Sequence, residues 1–331
     1  MTDVTATSGA TADALTDQPP AYVRYGAQAS VPPPYQCRGT TLWAFGVQAN
    51  PALLASLCDR VFSQPTGGAV AYEPVGSRLL LTFGTIPTIE SMTAPFDQQG
   101  AVQEGHAGLW MLVRRVAGDG PALAVFTPYM WVDNPMSLVA GRETFGYPKT
   151  WGWPAMPAAG VADPRWTLDV YGGDFVAGAA RKRRPLLRIA PAKSEPTPAP
   201  TRPPSLWHEL HEVVDHLVKE TATELHLAGL EALMSEFAGA SLPQVFLKET
   251  PAPGAAGASL VQVCAASITV ERFVGWPVFD HHDVTVEKMD SDPLVGELGV
   301  TSQTTWGAFH VTEMDMVLGA GEVVWDGSDA H

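Results

Sequence analysis

The stretch of sequence that decides the fold runs from Met130 to Trp151 and reads "MWVDNPMSLVAGRETFGYPKTW". It contains Lys149, the only lysine among the first 181 residues of the chain. A proline precedes this lysine, and its other neighbours are mostly aromatic residues and glycines. Lysine is nucleophilic only as the uncharged amine, and burial among apolar side chains favours that form. The stretch therefore indicates a reactive lysine; the alternative is an amine that reaches water from the rim or pairs with Glu143.

The overall charge argues against a nucleic-acid partner. The chain has 331 residues, with 35 acidic and 20 basic side chains and a formal net charge of −15. Proteins that bind nucleic acid usually present a basic stripe, whereas the basic run Arg181–Arg184 is short enough to be a solvated turn. Hydrophobic residues make up 46% of the chain, which is enough for a sizeable core.

Cysteine usage and the first residues indicate the compartment. Cys37, Cys58 and Cys264 lie far apart and form no CxxC pair, which is typical of a reducing compartment. The first thirty residues lack the basic start and apolar run of a signal peptide. No stretch approaches the roughly 18 consecutive apolar residues of a membrane-spanning helix. We expect a cytoplasmic protein with no membrane partner.

Glycine, proline and asparagine divide much of the chain into strand-length apolar runs. These runs predict several strands between residues 40 and 132 and further strands at 165–172, 186–191, 260–273 and 307–326. A helix is predicted at 50–62, because Asn50 can cap it and Pro51 suits its first turn.

The rest of the chain is predicted to form one domain with an insertion. We expect residues 1–20 to be a disordered tail and residues 21–331 a single domain. Within that domain, residues 190–257 are predicted to be inserted as a Pro/Ala linker, a long helix at 205–240 and a second loose spacer.

Two histidine-containing patterns raise the question of a metal site. The predicted helix places His208, His211, Glu212 and Asp215 close together on one face, where such side chains can bind a metal ion. A solvated polar face opposite the apolar stripe explains the same pattern without a ligand. The run "FDHHD" at 279–283 is interpreted as a loop. We therefore predict no metal.

The segment from Met130 to Lys149 resembles the acetoacetate decarboxylase family. Members of that family carry an aromatic-x-Asp-Asn segment, then Gly-Arg-Glu, then an aromatic-Pro-Lys triplet at this spacing. The matching residues here are Asp133, Asn134, Gly141, Arg142, Glu143, Tyr147, Pro148 and Lys149. The likeness extends over most of residues 35–180 and 258–326. It implies an α+β fold with a curved, largely antiparallel β-barrel-like core and an inserted helical element.

The resemblance also implies a set of catalytic residues. In the family, the lysine after the aromatic-Pro pair forms a Schiff base with a keto acid, and Lys149 inherits that role without a metal or organic cofactor. A family arginine binds the substrate carboxylate; Arg38 matches it best, with Arg24 as a second candidate. A family glutamate acts as acid or base, and Glu104 and His106 both remain candidates for its position.

Other residues near the lysine are given supporting roles. Met130, Tyr147 and Trp151 are expected to contact the substrate. Arg142 and Glu143 are expected to form an ion pair that supports the lysine loop. The decarboxylase pattern has a second lysine where this chain has Thr150, so activation of the amine would depend on desolvation or on a nearby arginine.

The predicted function is a lysine Schiff-base lyase that acts on small keto acids, by decarboxylation or by aldol condensation and dehydration, in a homo-oligomer. The alternative is a non-catalytic member of the same fold that binds a ligand without turnover. Thr150 leaves the choice of reaction open, and the sequence does not identify the physiological substrate.

Overall fold

The computed structural model of the protein describes residues 22–23, 31–158, 160–192, 241–254, 256–278 and 280–330. The described strands are β1 Tyr35–Gln48, β2 Ala71–Pro74, β3 Arg78–Ser91, β4 Val102–Ala117, β5 Leu123–Val132, β6 Lys149–Ala155, β7 Trp166–Gly172, β8 Lys182–Pro191, β9 Ser241–Pro251, β10 Ala258–Pro277, β11 His281–Val286, β12 Gln303–Leu318 and β13 Glu322–Asp326. The described α-helices are α1 Pro51–Cys58, α2 Pro135–Thr144 and α3 Leu294–Glu297.

Seven strands close into a barrel in the order β1-β3-β4-β5-β9-β10-β12. The barrel closes because β12 pairs with β10 on one side and with β1 on the other. All of these pairings are antiparallel except the short contact between β5 and β9. The predicted fold class, a largely antiparallel β-barrel-like core with few helices, is confirmed.

A second layer of strands covers one side of the barrel. β6 pairs with β5, and β7, β8 and β11 then follow in order until β11 meets β12. A buried cluster of apolar side chains fills the space between this layer and the barrel wall. Trp166 of β7 illustrates the packing, since its ring lies edge-on to Phe45 of β1 with centroids 5.0 Å apart. The interior of the barrel is left for a separate apolar cluster and a cavity.

Local signals account for α1 and for most of the strands. Asn50 caps α1 by accepting hydrogen bonds from the backbone N–H groups of Ala52 and Leu53, as its sequence predicts. The helix ends at Cys58 and continues as a π-helical segment over Asp59–Ser63, which covers the rest of the predicted span 50–62. The predicted strands appear as β1, β3, β4, β5, β7, β8, β10, β12 and β13.

Several predictions were wrong in detail. The Arg181–Arg184 run is not a turn, because β8 begins at Lys182 and its basic side chains lie on an exposed strand that pairs with β7. The end of the predicted insertion is also wrong: β9 is a barrel strand, and the second spacer is the hairpin connection between β9 and β10. The tail at 1–20, the linker beyond residue 192 and the predicted helix at 205–240 lie outside the described residues.

Within the described part of the chain, none of the helices combines the length and apolar character needed to span a bilayer.

Candidate active site

The barrel encloses a cavity of about 740 Å³ whose wall is mostly apolar. Three titratable side chains meet in this wall: Glu104 and His106 from β4, and Lys149 from the start of β6. Their exposures are 3%, 4% and 8%. A large apolar pocket with a few converging polar groups is the usual form of a small-molecule site, so this cavity is the candidate active site.

Backbone contacts and one glycine position Lys149. Its residue pairs in register with Met130 across the parallel β5–β6 contact. Its carbonyl oxygen accepts a hydrogen bond from Nη1 of Arg142 at 3.2 Å. The side chain then passes closely over Gly141 of α2, where an added Cβ would lie 2.8 Å from Cδ and 2.9 Å from Cε of the lysine. Gly141 therefore provides the space through which the amine reaches the cavity.

The amine ends between a carboxylate and a hydroxyl group. Nζ of Lys149 donates to Oε2 of Glu104 at 2.5 Å and to Oγ of Ser137 at 2.9 Å. Ser137 Oγ in turn donates to the same oxygen of Glu104. The three side chains therefore form a closed, buried hydrogen-bonded group, and Ser137 belongs to it although the sequence argument did not select it.

The Asp-Asn pair of the motif places α2 against β4. The side chain of Asn134 caps α2 by accepting from Met136 N at 2.8 Å, and its amide group donates to the carbonyl of Gln103 at 2.7 Å. Asp133 Oδ1 accepts from the backbone N–H of Gly105 at 2.7 Å. These contacts on both sides of Glu104 bring the first turn of α2, with Ser137, to the carboxylate.

The charges of the site are coupled. Burial alone would raise the pKa of Glu104, but the nearby charge of Lys149, its hydrogen bond and the close contact with His106 outweigh burial and lower this pKa. The contact therefore favours the ionised form of Glu104. From the sequence we expected a buried, uncharged amine. The amine is buried in a mostly apolar wall, but it has a buried counter-ion.

His106 lies behind Glu104 as seen from the lysine. Its Nδ1 is 3.2 Å from Oε1 of Glu104, close enough for an electrostatic interaction with the carboxylate. The ring nitrogen is not aligned for a hydrogen bond. The imidazole packs against Gly84 of β3, where an added Cβ would be 2.8 Å from both Cε1 and Nε2. Both acid–base candidates from the sequence thus enter the cavity, but Glu104 is the one that touches Lys149.

Two of the predicted substrate contacts also line the cavity. Met130 and Tyr147 are 5% exposed and face it. The amine of Lys149 lies 5.5 Å from the centre of the Tyr147 ring. The phenol donates a hydrogen bond to Oε1 of Gln244, and burial together with the negative charge of Glu104 raises the pKa of Tyr147. This tyrosine is therefore a neutral hydrogen-bond donor at the wall of the cavity.

The structure does not bring Arg38 to the cavity. Its guanidinium is exposed and pairs with Glu90 at 2.8 Å. The strand alternation explains this placement, because the neighbouring Cys37 points inward. Gly39 has a φ of +68°, and the pairing of β1 with β12 shifts register between Cys37 and Thr40. This bulge returns Thr40 to the interior and leaves Arg38 outside. Arg24 lies outside the described residues.

Trp151 is likewise absent from the cavity wall. It is 49% exposed and packs on Trp153, with ring centroids 4.8 Å apart. β6 leaves the barrel at this point, since it pairs with β7 from Gly152 onward. Thr150, which stands at the position of the family's second lysine, is exposed and its hydroxyl lies 3.5 Å from the carbonyl of Met130.

Arg142 and Glu143 do not form the expected ion pair with each other. Arg142 supports the lysine through its backbone carbonyl, as described above, and makes no hydrogen bond to the amine among the described contacts. Glu143 accepts a hydrogen bond from the hydroxyl of Tyr22 at 3.0 Å. The two side chains point in different directions because consecutive residues of a helix do not share a face.

The histidines of the "FDHHD" run have a structural setting. His282 is 3% exposed and packs edge-on against Phe45 and Trp166. Burial lowers the pKa of His282, and its Nδ1 lies 3.0 Å from the carbonyl of Asp280. Among the described residues there is no group of three or more side chains that could hold a metal ion; the predicted helix with His208, His211, Glu212 and Asp215 is not among them.

Comparison with known proteins identifies the family of the chain. The family model for acetoacetate decarboxylase matches residues 88–326. An acetoacetate decarboxylase from Legionella pneumophila has 16% identity and a TM-score of 0.58, with 95% of this chain and 94% of that chain covered. The enduracididine biosynthesis enzyme MppR complexed with pyruvate has 16% identity and a TM-score of 0.53, with 91% and 94% covered. An acetoacetate decarboxylase-like enzyme from Sphingomonas wittichii RW1 has 13% identity and a TM-score of 0.52, with 91% and 96% covered. A search of curated protein sequences gave no match.

At these identities the solved structures establish a shared fold, while the family model establishes the family. The matched region, residues 88–326, contains the strand with Glu104 and His106, the helix with Ser137 and the lysine itself. The resemblance inferred from the Met130–Lys149 segment is therefore confirmed: the chain belongs to the acetoacetate decarboxylase family.

Proposed function

We propose that this protein is a lyase in which Lys149 forms a Schiff base with the ketone carbonyl of a keto acid. Membership of the acetoacetate decarboxylase family supports a lyase of this kind. The observation that carries the proposal is the buried amine of Lys149, which faces a large apolar cavity and has a carboxylate at 2.5 Å. A lysine on this wall can meet a carbonyl carbon without competition from bulk water.

Glu104 is proposed to carry the protons of imine formation. The ammonium of Lys149 first transfers a proton to the carboxylate of Glu104, which leaves a free amine. The amine attacks the carbonyl carbon, and the oxygen takes the proton from Glu104. The new N–H⁺ group returns a proton to Glu104, which passes it to the hydroxyl as water leaves. The result is a protonated imine beside a carboxylate, so charge is conserved through the sequence.

The protonated imine then accepts the electrons of a bond that breaks or forms at the adjacent carbon. With a β-keto acid, the bond to the carboxylate breaks, CO₂ leaves and a neutral enamine remains. The carbon that lost CO₂ next takes a proton, which solvent supplies through Glu104 or His106, and water hydrolyses the imine to restore Lys149. An apolar cavity favours this step, because an uncompensated carboxylate is costly to bury and CO₂ is not.

Condensation is the second reaction to which the same imine leads. The solved neighbour MppR has been crystallised with pyruvate and with the condensation product of pyruvate and imidazole 4-carboxaldehyde. In this chain the position of the family's second lysine is Thr150, which does not line the cavity. A pyruvate enamine that attacks an aldehyde is therefore a candidate alongside decarboxylation. Assays for CO₂ release from acetoacetate and for pyruvate condensation with a panel of aldehydes distinguish the two.

Borohydride trapping tests the covalent step directly. We expect incubation with acetoacetate or pyruvate, followed by reduction, to place a stable adduct on Lys149 that peptide mass spectrometry locates. The variant Lys149→Met should give no adduct. A protein that binds keto acids but yields no adduct with any of them would be the non-catalytic member of the fold. Homo-oligomer formation and a cytoplasmic location stay predictions, and light scattering of the purified protein measures the former.

A further inference from the structure

The cavity is much larger than the small keto acids considered so far. At roughly 30 Å³ for each water-sized group, a volume of about 740 Å³ has room for on the order of 25 such groups. Acetoacetate has only about seven non-hydrogen atoms by its formula, whereas cavities of roughly 300–1,000 Å³ hold drug-sized ligands. A small keto acid bound at Lys149 would leave most of the interior empty.

The unused part of the cavity extends along the barrel away from Lys149. On β4, the lining residues run from Glu104 through His106 and Trp110 to Leu112. Eight residues of strand correspond to roughly 26 Å at about 3.3 Å per residue, or roughly 20 Å along the axis of a barrel whose strands tilt by about 40°. Beyond His106 the wall is mostly apolar, with side chains such as Leu42, Leu80, Phe309 and Val311, and it also includes Arg78 and Thr82.

Two glycines keep this channel open. The indole of Trp110 folds back over Gly108, where an added Cβ would lie 3.1 Å from Nε1, and Nε1 donates to Thr82 Oγ1 at 2.8 Å. The ring of His106 lies in the same way against Gly84. The two glycines therefore leave room for these rings at the wall, and one cavity has lining residues from Lys149 to Leu112.

We propose that the substrate is a β-keto acid with a long linear apolar chain, whose ketone meets Lys149 and whose chain lies along the barrel towards Leu80 and Leu112. This inference rests on the proposed function, since it uses the same lysine. Shape and polarity both favour a linear chain. The channel is long, it lies inside a narrow barrel of seven strands, and its wall is mostly apolar. A chain of up to about ten methylenes, at roughly 1.3 Å each for C–C bonds of about 1.5 Å, fits within the available length.

The test is a chain-length series of β-keto acids with four, six, eight, ten and twelve carbons. Each methylene removed from water should lower KM by about fourfold, so KM should fall with chain length until the channel is full. Borohydride trapping on Lys149 should show the same order at limiting substrate concentration.

The Leu80→Trp variant fills the channel beyond His106, and the smaller Leu112→Phe change serves if tryptophan prevents folding. Either variant should weaken the longer substrates by more than tenfold and leave acetoacetate within about twofold.

Val116→Trp is the matched control, because Val116 is 54% exposed on β4 and does not line the cavity. The chain-length profile of this variant should match that of the unmodified protein. If acetoacetate is trapped and turned over but longer chains bind no better, the long-chain substrate is refuted and the Schiff-base function stands. If longer chains bind better but the channel variants leave the profile unchanged, the chain lies elsewhere and the proposal fails. If no keto acid of any length is trapped, the proposed function fails and the inference falls with it.

Discussion

Replacing Gly141 with alanine separates the position of the Lys149 amine from the stability of the fold. An added Cβ would lie 2.8 Å from Cδ, 2.9 Å from Cε and 3.3 Å from Nζ of Lys149. Carbon atoms rest at about 3.5–4.0 Å, so the lysine chain must move by roughly 1 Å to relieve the contact. Because these atoms belong to a flexible side chain, we expect the lysine to move and the helix to stay.

The two consequences have different sizes. Alanine in a helix is favoured over glycine by about 1 kcal/mol, whereas overpacking a buried site costs about 1–3 kcal/mol. The net loss of stability should therefore be between about 0 and 2 kcal/mol. A reacting group displaced by about 1 Å loses on the order of a hundredfold in rate. The Gly141→Ala protein should stay folded and trap acetoacetate on Lys149 about a hundred times more slowly.

Urea denaturation and the rate of borohydride trapping measure the two effects on the same preparation. Gly296→Ala is the matched control, since Gly296 lies in α3 and an added Cβ there meets nothing within 4 Å. It should leave the trapping rate unchanged. A Gly141→Ala protein that traps substrate at the normal rate would refute the argument that this glycine sets the position of the amine.

Four further predictions concern the buried group around Glu104 and the cavity beside it. Glu104→Gln should lower the free energy of unfolding by about 3–5 kcal/mol, because it leaves the Lys149 ammonium buried without a counter-ion. The double change Glu104→Gln with Lys149→Met should recover most of that loss. A double variant as unstable as the single one would contradict the ion pair. Folding lowers the pKa of Glu104, so the ionised carboxylate stabilises the fold above the pKa of the unfolded chain, near 4.3. This stabilisation is lost as the pH falls through the lower pKa of the folded protein. Acid should therefore destabilise the unmodified protein more steeply than Glu104→Gln in denaturation experiments. Ser137→Ala removes a hydrogen bond to a charged group, worth about 1.5–3 kcal/mol, and should slow trapping roughly tenfold to a hundredfold; an unchanged rate would remove Ser137 from the reacting group. Burial raises the pKa of Cys37 to about 12, and the charge of Glu104 adds to this effect. At pH 8 only about one thiol in ten thousand is then ionised, so iodoacetamide should label Cys37 only after unfolding. Labelling at the rate of a free thiol would show that the cavity is open to water.

The sequence predicted the strands, the barrel class and a buried Lys149 because each depends on local pattern or on one long motif. The same kind of signal was present for α2 but was not recognised. Asn134 and Pro135 repeat the cap and first-turn pattern of Asn50 and Pro51, yet the apolar residues that follow are interrupted by Gly141. Recognising this helix would have placed Ser137 in its first turn, next to the cap, and so made it a candidate.

Other parts of the site depend on contacts that no local pattern encodes. Arg38 and Cys37 are adjacent, and which of them faces the barrel is set by the bulge at Gly39 and the register with β12. β9 carries Gln244 to the phenol of Tyr147, but the proline at 243 and the Pro/Ala-rich residues beyond it resemble a spacer. Trp151 follows Lys149 by two residues and would share its face in a regular barrel strand. It does not, because β6 leaves the barrel to pair with β7.

The ion pair changes how the apolar cavity is understood. Burial without a partner would favour the neutral amine, whereas Glu104 at 2.5 Å favours the ammonium. In the proposed function, the free amine forms when a proton moves from Lys149 to the neighbouring carboxylate, because that transfer removes two buried charges together. The proposed ketone and its apolar chain would favour the neutral pair further, since the cost of burying charge rises as the surroundings become less polar. Substrate binding and activation of the nucleophile are then one event, and the length of the apolar chain should influence the rate of imine formation as well as affinity.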